Sequence, residues 1–225
     1  MTPKKVLGLG LLLLVPVLAF LFLEVFGKNE YALRTFYPVI DENTDAPLVQ
    51  NGDTVFQRIP DFRLTAQTGQ EITQQDLKDQ VYVANFIFSS CKDICKKMTH
   101  QMTRVQEAFA QESRVKLVSF SVDPERDSVA TLNKYAQQYG ADANKWYFLT
   151  GPKAQIYHLA REGYKLAAMP APTAIPDFIH SEKFVLVDEQ RHVRGFYDGT
   201  SEEDVDRLIT EIQILLNERA RLKKQ

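Results

Sequence analysis

The chain has 225 residues, with 27 Lys and Arg against 29 Asp and Glu and a net charge of −2. With 44% hydrophobic residues it can fill the core of one domain with appendages, so disorder throughout is excluded. The charge balance excludes a duplex nucleic-acid binder, which needs surplus Lys and Arg, and a count of 2 cysteines excludes a disulfide-stapled secreted scaffold.

After Lys4 and Lys5, the run Val6–Leu23 carries no charge and is interrupted only by Gly8, Gly10 and Pro16. A helix of that length reaches about 27 Å, against a hydrocarbon core of about 30 Å. It predicts a transmembrane anchor, because the apolar core of a cleaved signal peptide is usually about 7–15 residues long. A removed signal or a buried globular helix are the alternatives. Lipid attachment is not expected, since no cysteine lies near this stretch. The two lysines before the span predict a cytoplasmic N-terminus and an extracytoplasmic (periplasmic) domain beyond a single pass of the inner membrane. Residues 1–27 therefore form the anchor unit, 28–54 a tether or loosely packed arm with the turn-like Asn51-Gly52, and 55–225 the folded domain.

From Ile59 onward, strand and helix signals alternate. Phe62–Leu64 is followed by the turn Thr68-Gly69-Gln70. The run Val81–Phe88 then has a single polar member, Asn85, as expected of a strand buried on both faces. A helix follows with the stripe Ile94, Met98, Met102, Val105 and Phe109. Val115–Val122 reads as a second buried strand, and Val129, Leu132, Ala136 and Tyr139 mark a second helix. Trp146–Leu149 predicts a short strand, and Pro152–Arg161 a short helix with Pro in its first turn. Prolines at 170, 172 and 176 make Met169–Pro176 a loop. Phe184–Val187 and Val193–Tyr197 form a hairpin. The last helix opens on Ser201 and Asp204, a capping box, and buries Val205, Leu208, Ile209, Ile212, Leu215 and Leu216. This order implies an α/β fold, a mixed central sheet with helices on both sides.

Both cysteines lie where the most buried strand hands over to a helix, in Phe88-Ser89-Ser90-Cys91-Lys92-Asp93-Ile94-Cys95. Helix N-termini and the nearby Lys92, Lys96 and Lys97 bias a thiol toward thiolate. Four residues apart on a helix, the two sulfurs point the same way, to close a disulfide or share a metal ion. Two inert core thiols or a structural disulfide are the plainer readings, although so small a loop gains little from a staple. Three intervening residues, where thioredoxin-type redox motifs have two, lean toward metal, and two thiolates need a third ligand. Of the four histidines, His100, His158 and His192 read as exposed or remote. His180, at the end of the proline-rich loop, is the remaining candidate. Met98 and Met102 sit on the apolar helical stripe and read as core.

Several segments together resemble the Sco/SenC family: Ile59-Pro60-Asp61-Phe62, the Cys-x3-Cys pair after Phe86, Ser121–Asp127, Trp146–Gly151, His180-Ser181 and Tyr197-Asp198-Gly199. They run in order from about residue 55 to about residue 220. The resemblance implies a thioredoxin-like fold with an N-terminal transmembrane helix and copper held by Cys91, Cys95 and His180. It also implies delivery of copper to a respiratory cytochrome oxidase, with a copper-receiving oxidase subunit and thiol-redox proteins as partners. Proline usually follows each cysteine in that family, whereas Lys92 and Lys96 stand in those places here. The substitution is expected to loosen the loop and lower the thiol pKa values. The alternative function uses the same two cysteines as a thiol-disulfide oxidoreductase without copper. A peroxidase of the same fold and a zinc site are more distant readings.

Overall fold

The strand Val81–Ile87, here β5, is buried at all of its residues. Successive side chains alternate between two faces, so Val83 and Ile87 join one apolar cluster while Tyr82, Ala84 and Phe86 join another. This two-faced burial requires layers on both sides of the sheet. The computed structural model describes residues 13–22, 32–166 and 181–222.

Residues 13–22 are helical (α1) and exposed. The chain divides into two units, Met1–Ala32 and Leu33–Gln225. No helix among the described residues is long and apolar enough to cross a membrane. The expected span Val6–Leu23 falls partly outside the described residues.

In the second unit the strands are β1 (Val49–Gln50), β2 (Asp53–Thr54), β3 (Arg63–Ala66), β4 (Glu71–Thr73), β5, β6 (Val115–Ser121), β7 (Trp146–Thr150), β8 (Lys183–Val187) and β9 (Val193–Asp198). Seven form one sheet in the order β4-β3-β7-β6-β5-β8-β9. The β5–β6 and β6–β7 pairs are parallel, and the others antiparallel. The parallel pairs are bridged by α2 (Ile94–Ala108) and α3 (Val129–Gln138), as parallel neighbours require a crossover. α2, α3 and α5 (Glu202–Leu222) contribute to the cluster of Val83 and Ile87, and α4 (Lys153–His158) to that of Tyr82 and Phe86. The expected helix 152–161 is thus shorter, with Pro152 as its N-cap and a π turn over Leu159–Gly163.

Asn85, the polar interruption of β5, is fully buried and accepts a hydrogen bond from Ser119 Oγ at 2.6 Å. Ser119 Oγ in turn accepts from Trp146 Nε1 at 2.9 Å, which ties β5, β6 and β7 together through their side chains. At α5, Ser201 Oγ caps Asp204 N–H at 3.3 Å, but the Asp204 carboxylate accepts from Asp198 N–H at 2.7 Å and not from the cap residue. Half of the expected capping box forms, and the other half locks β9 to the helix.

The segment expected to be a tether belongs, from Leu33 onward, with the folded unit. Leu33 is buried, and its carbonyl accepts from Arg194 Nη2 at 2.7 Å. Phe36 N–H donates to Val193 O at 2.9 Å. Asn51 and Gly52, both at positive φ, turn β1 into β2 as a two-residue hairpin loop.

Candidate metal centre

β5 ends at Ile87, and after six intervening residues α2 begins at Ile94. Between them Cys91 N–H donates to Phe88 O at 3.2 Å, closing a turn. Cys91 therefore precedes the helix, and Cys95 lies in its first turn. The expected placement of both thiols on one helix is corrected in that respect, because the helical backbone starts only after Asp93. The pair still converges: Cys95 N–H donates to Cys91 Sγ at 3.3 Å, so the first sulfur occupies an amide left open at the helix N-terminus. Cys91 is 8% exposed and Cys95 3%.

Burial pushes the Cys95 thiol up to about 12, against a backbone hydrogen bond from Phe88 that favours the thiolate, and the neighbouring Cys91 adds to the rise. The sequence expectation of a lowered pKa fails for this cysteine. Lys92, Lys96 and Lys97 all lie exposed, where water screens them, and Lys97 pairs with Asp93 at 3.2 Å. Behind Cys95 sits a polar shelf in which Thr99 Oγ1 donates to Cys95 O at 2.6 Å and meets Tyr135 Oη at 2.8 Å. Met98 and Met102 are fully buried in the core, as their place on the stripe predicts.

The loop is braced from the side by Asp127, which is fully buried. Its carboxylate accepts from Ser89 N–H at 3.0 Å, from Ser89 Oγ, and from Ser121 Oγ at 2.6 Å. Asp127 N–H donates to Asp123 O at 2.9 Å, and Ser128 Oγ caps α3 by accepting from Thr131 N–H at 3.2 Å. The run Asp123-Pro124-Glu125-Arg126-Asp127, visible in the sequence as a motif, is therefore a turn that carries a buried carboxylate to the cysteine loop. The sequence signalled the motif but not this role.

Among the histidines, His100 and His158 are exposed. His192 was expected to be exposed and is instead half-buried, with Nδ1 3.6 Å from Asp188 Oδ2. It lies near the end of β8 that pairs with the start of β5, away from the cysteine loop. Burial pushes the Asp188 carboxyl up, but hydrogen bonds from His192 and Arg194 outweigh it and hold the group below the usual carboxylate range. His180 lies outside the described residues. No group of three or more His, Cys, Asp or Glu is arranged to hold a metal among the described residues. The two thiols supply two soft donors, so a metal held here takes its remaining ligand from elsewhere.

The topology bears on where that ligand can come from. β8 runs antiparallel to β5 with Val185 opposite Ala84 and Val187 opposite Tyr82. The chain thus enters β8, through Ser181 and Glu182, at the end of the sheet where β5 releases the cysteine loop.

A family model described as SCO1/SenC matches residues 51–217. The chain is 32% identical over 163 residues to the "SCO1 protein homolog" of Bacillus subtilis (strain 168), covering 72% of this chain and 84% of the relative. Its fold is similar to BsSco, "a member of the Sco family of cytochrome c oxidase assembly proteins" in which a disulfide switch is identified, with a TM-score of 0.59, 31% identity, and coverage of 69% and 91%. It is also similar to Arabidopsis thaliana ScoI with copper bound, with a TM-score of 0.57, 25% identity, and coverage of 72% and 99%.

Proposed function

Because the chain belongs to the SCO1/SenC family, we propose that it is a membrane-anchored copper chaperone that delivers its cargo to a respiratory cytochrome oxidase. Cys91, Cys95 and His180 are the copper ligands in this reading. The observation that carries it is the convergence of two buried thiols with the entry to β8 at one end of the sheet. Thiolates favour Cu(I) and imidazole helps retain Cu(II), so a Cys2His set suits copper in both states. His180, arriving on a separate segment, would close over the ion or withdraw for transfer. The copper-bound plant relative and the oxidase-assembly relative support cargo and destination. The exposed apolar surface of residues 13–22 supports the anchor, since a bare hydrophobic helix is unfavourable in water. The folded domain is then extracytoplasmic on a single-pass protein.

Copper titration of the reduced full chain in neutral detergent, beside His180→Ala, tests the reading. Wild type should bind one copper and show thiolate-to-Cu(II) absorbance, and His180→Ala should lose that absorbance and weaken Cu(II) binding. Absence of copper binding by wild type, or an unchanged His180→Ala spectrum, overturns it.

A second reading, a thiol-disulfide oxidoreductase, is favoured by the contact of Cys91 Sγ with the helix amide of Cys95. Such a contact orients the Cys91 sulfur at the helix N-terminus, while burial pushes the Cys95 thiol up. Exchange activity that survives in His180→Ala while copper binding is lost would show the two functions to be separable.

A further inference from the structure

Lys92 and Lys96 each follow a cysteine, and both are exposed. Neither ammonium group has an ion-pair or hydrogen-bond partner among the described residues. Three acids close in sequence to the cysteine loop and the Asp127 turn pair with other cations: Asp93 with Lys97 at 3.2 Å, Asp123 with Arg126 at 3.7 Å, and Glu125 with Lys153 at 3.9 Å. Asp127 is buried against Ser89 and Ser121. Among the described residues, Lys92 and Lys96 are therefore left without a neutralising acid, on a chain whose net charge is −2. Cys91 and Cys95 are 8% and 3% exposed, and each is followed directly in the chain by one of these exposed lysines.

We propose that Lys92 and Lys96 form a docking rim for an acidic protein surface, one in which Asp and Glu surround the partner's own thiols or copper ligands. The inference rests on reading Cys91 and Cys95 as a site that exchanges copper or electrons with other proteins. Fixed charges beside a recessed site steer encounter and select orientation more than they add affinity. A protein fits the rim better than a lipid surface, because the exchange needs ligands or thiols that a lipid does not carry.

The test uses the reduced full chain in neutral detergent and three small symmetrical disulfides: dithiodipropionate (dianionic), hydroxyethyl disulfide (neutral) and cystamine (dicationic). One cysteine thiolate attacks the probe and releases one small thiol. The other cysteine then attacks the mixed disulfide and releases the second, so two electrons pass from the protein dithiol to the probe. In Lys92→Gln/Lys96→Gln the dianion should react about three- to tenfold more slowly at low ionic strength and the dication faster by a similar factor, an order-of-magnitude expectation for two charges at roughly 8 Å. The neutral probe should change by less than about twofold, and the differences should collapse at high salt. The wild type alone provides a second measurement, with salt slowing the dianion and speeding the dication.

An equal change for all three probes would mean that the lysines act only on the thiols, and no change would mean that they steer nothing; either overturns the proposal. So does a slowing of all three probes in nanodiscs of anionic lipid relative to neutral lipid, which would assign the rim to the membrane. Charge selectivity in a protein that binds no copper would leave the docking rim standing and remove the chaperone reading.

Discussion

Replacing Asp127 separates the stability of the domain from the order of its cysteine loop. The carboxylate is fully buried and accepts from Ser89 N–H, Ser89 Oγ and Ser121 Oγ. Hydrogen bonds to a charged group contribute about 1.5–3 kcal/mol each, and a buried donor left unpaired costs about 1–3 kcal/mol. The three are not additive, since the hydroxyl of half-buried Ser89 can turn toward water. Asp127→Ala should therefore cost about 3 kcal/mol, or a fall in Tm of about 6–12 °C at this size. Asp127→Asn keeps one acceptor oxygen and should cost about 1–2 kcal/mol. Ser121→Ala removes the bond to Asp127 and the one that Ser121 Oγ accepts from Asp123 N–H at 3.2 Å, but leaves both Ser89 contacts, so it should cost about 1–2 kcal/mol. Urea unfolding measures these differences. Iodoacetamide alkylation of Cys91, two residues beyond Ser89, reads the loop: its rate should rise in Asp127→Ala and stay unchanged in Ser121→Ala. An Asp127→Ala variant within about 0.5 kcal/mol of wild type, or one whose Cys91 rate does not move, refutes the brace.

Other perturbations probe the remaining electrostatic contacts. Arg194 is buried, with Asp188 Oδ2 and Glu218 Oε2 each at 3.1 Å and the Leu33 carbonyl at 2.7 Å. Arg194→Ala strands two acids and should cost about 3–5 kcal/mol by urea unfolding; a cost below about 1 kcal/mol would show that Arg194 does not hold the arm. Hydrogen bonds from Arg114 hold the Glu112 carboxyl at about 2. A depressed carboxyl contributes stability above its unfolded value of about 4.5 and loses it as pH falls toward about 2. Because the pair is only half-buried and water screens it, Glu112→Gln should reduce the acid sensitivity of stability in that window by no more than about 0.5 kcal/mol; a larger effect, or one confined to neutral pH, contradicts the assignment. At pH 8, with the Cys95 thiol pushed up to about 12, iodoacetamide should label Cys91 at least about tenfold faster, as peptide mapping would show. Equal labelling would mean that Cys95 is not held protonated.

What the sequence made legible, and what it hid, divides along sequence separation. β5, α2 and the β8–β9 hairpin follow from periodicity within a dozen residues, and the expected boundaries fall within a residue or two of Val81–Ile87, Ile94–Ala108 and Lys183–Val187. The cysteine pair was visible for the same reason, since both thiols belong to one strand-to-helix junction. The brace was not, because Ser89 and Asp127 are 38 residues apart and meet only once β5 and β6 are paired. The Cys95 thiol was misjudged on local charge: the lysines beside it in sequence point to solvent, while Tyr135 and the core that desolvate it come from other elements. The arm from Leu33 was obscure on both grounds, with no amphipathic period of its own and its anchor, Arg194, 161 residues away. At this site, local sequence therefore reports which groups are present, and the tertiary contacts decide their protonation and order. The Lys92 and Lys96 rim is the exception. Exposed charges answer to water and to a partner more than to the core, so their identity in the sequence already carries most of their effect.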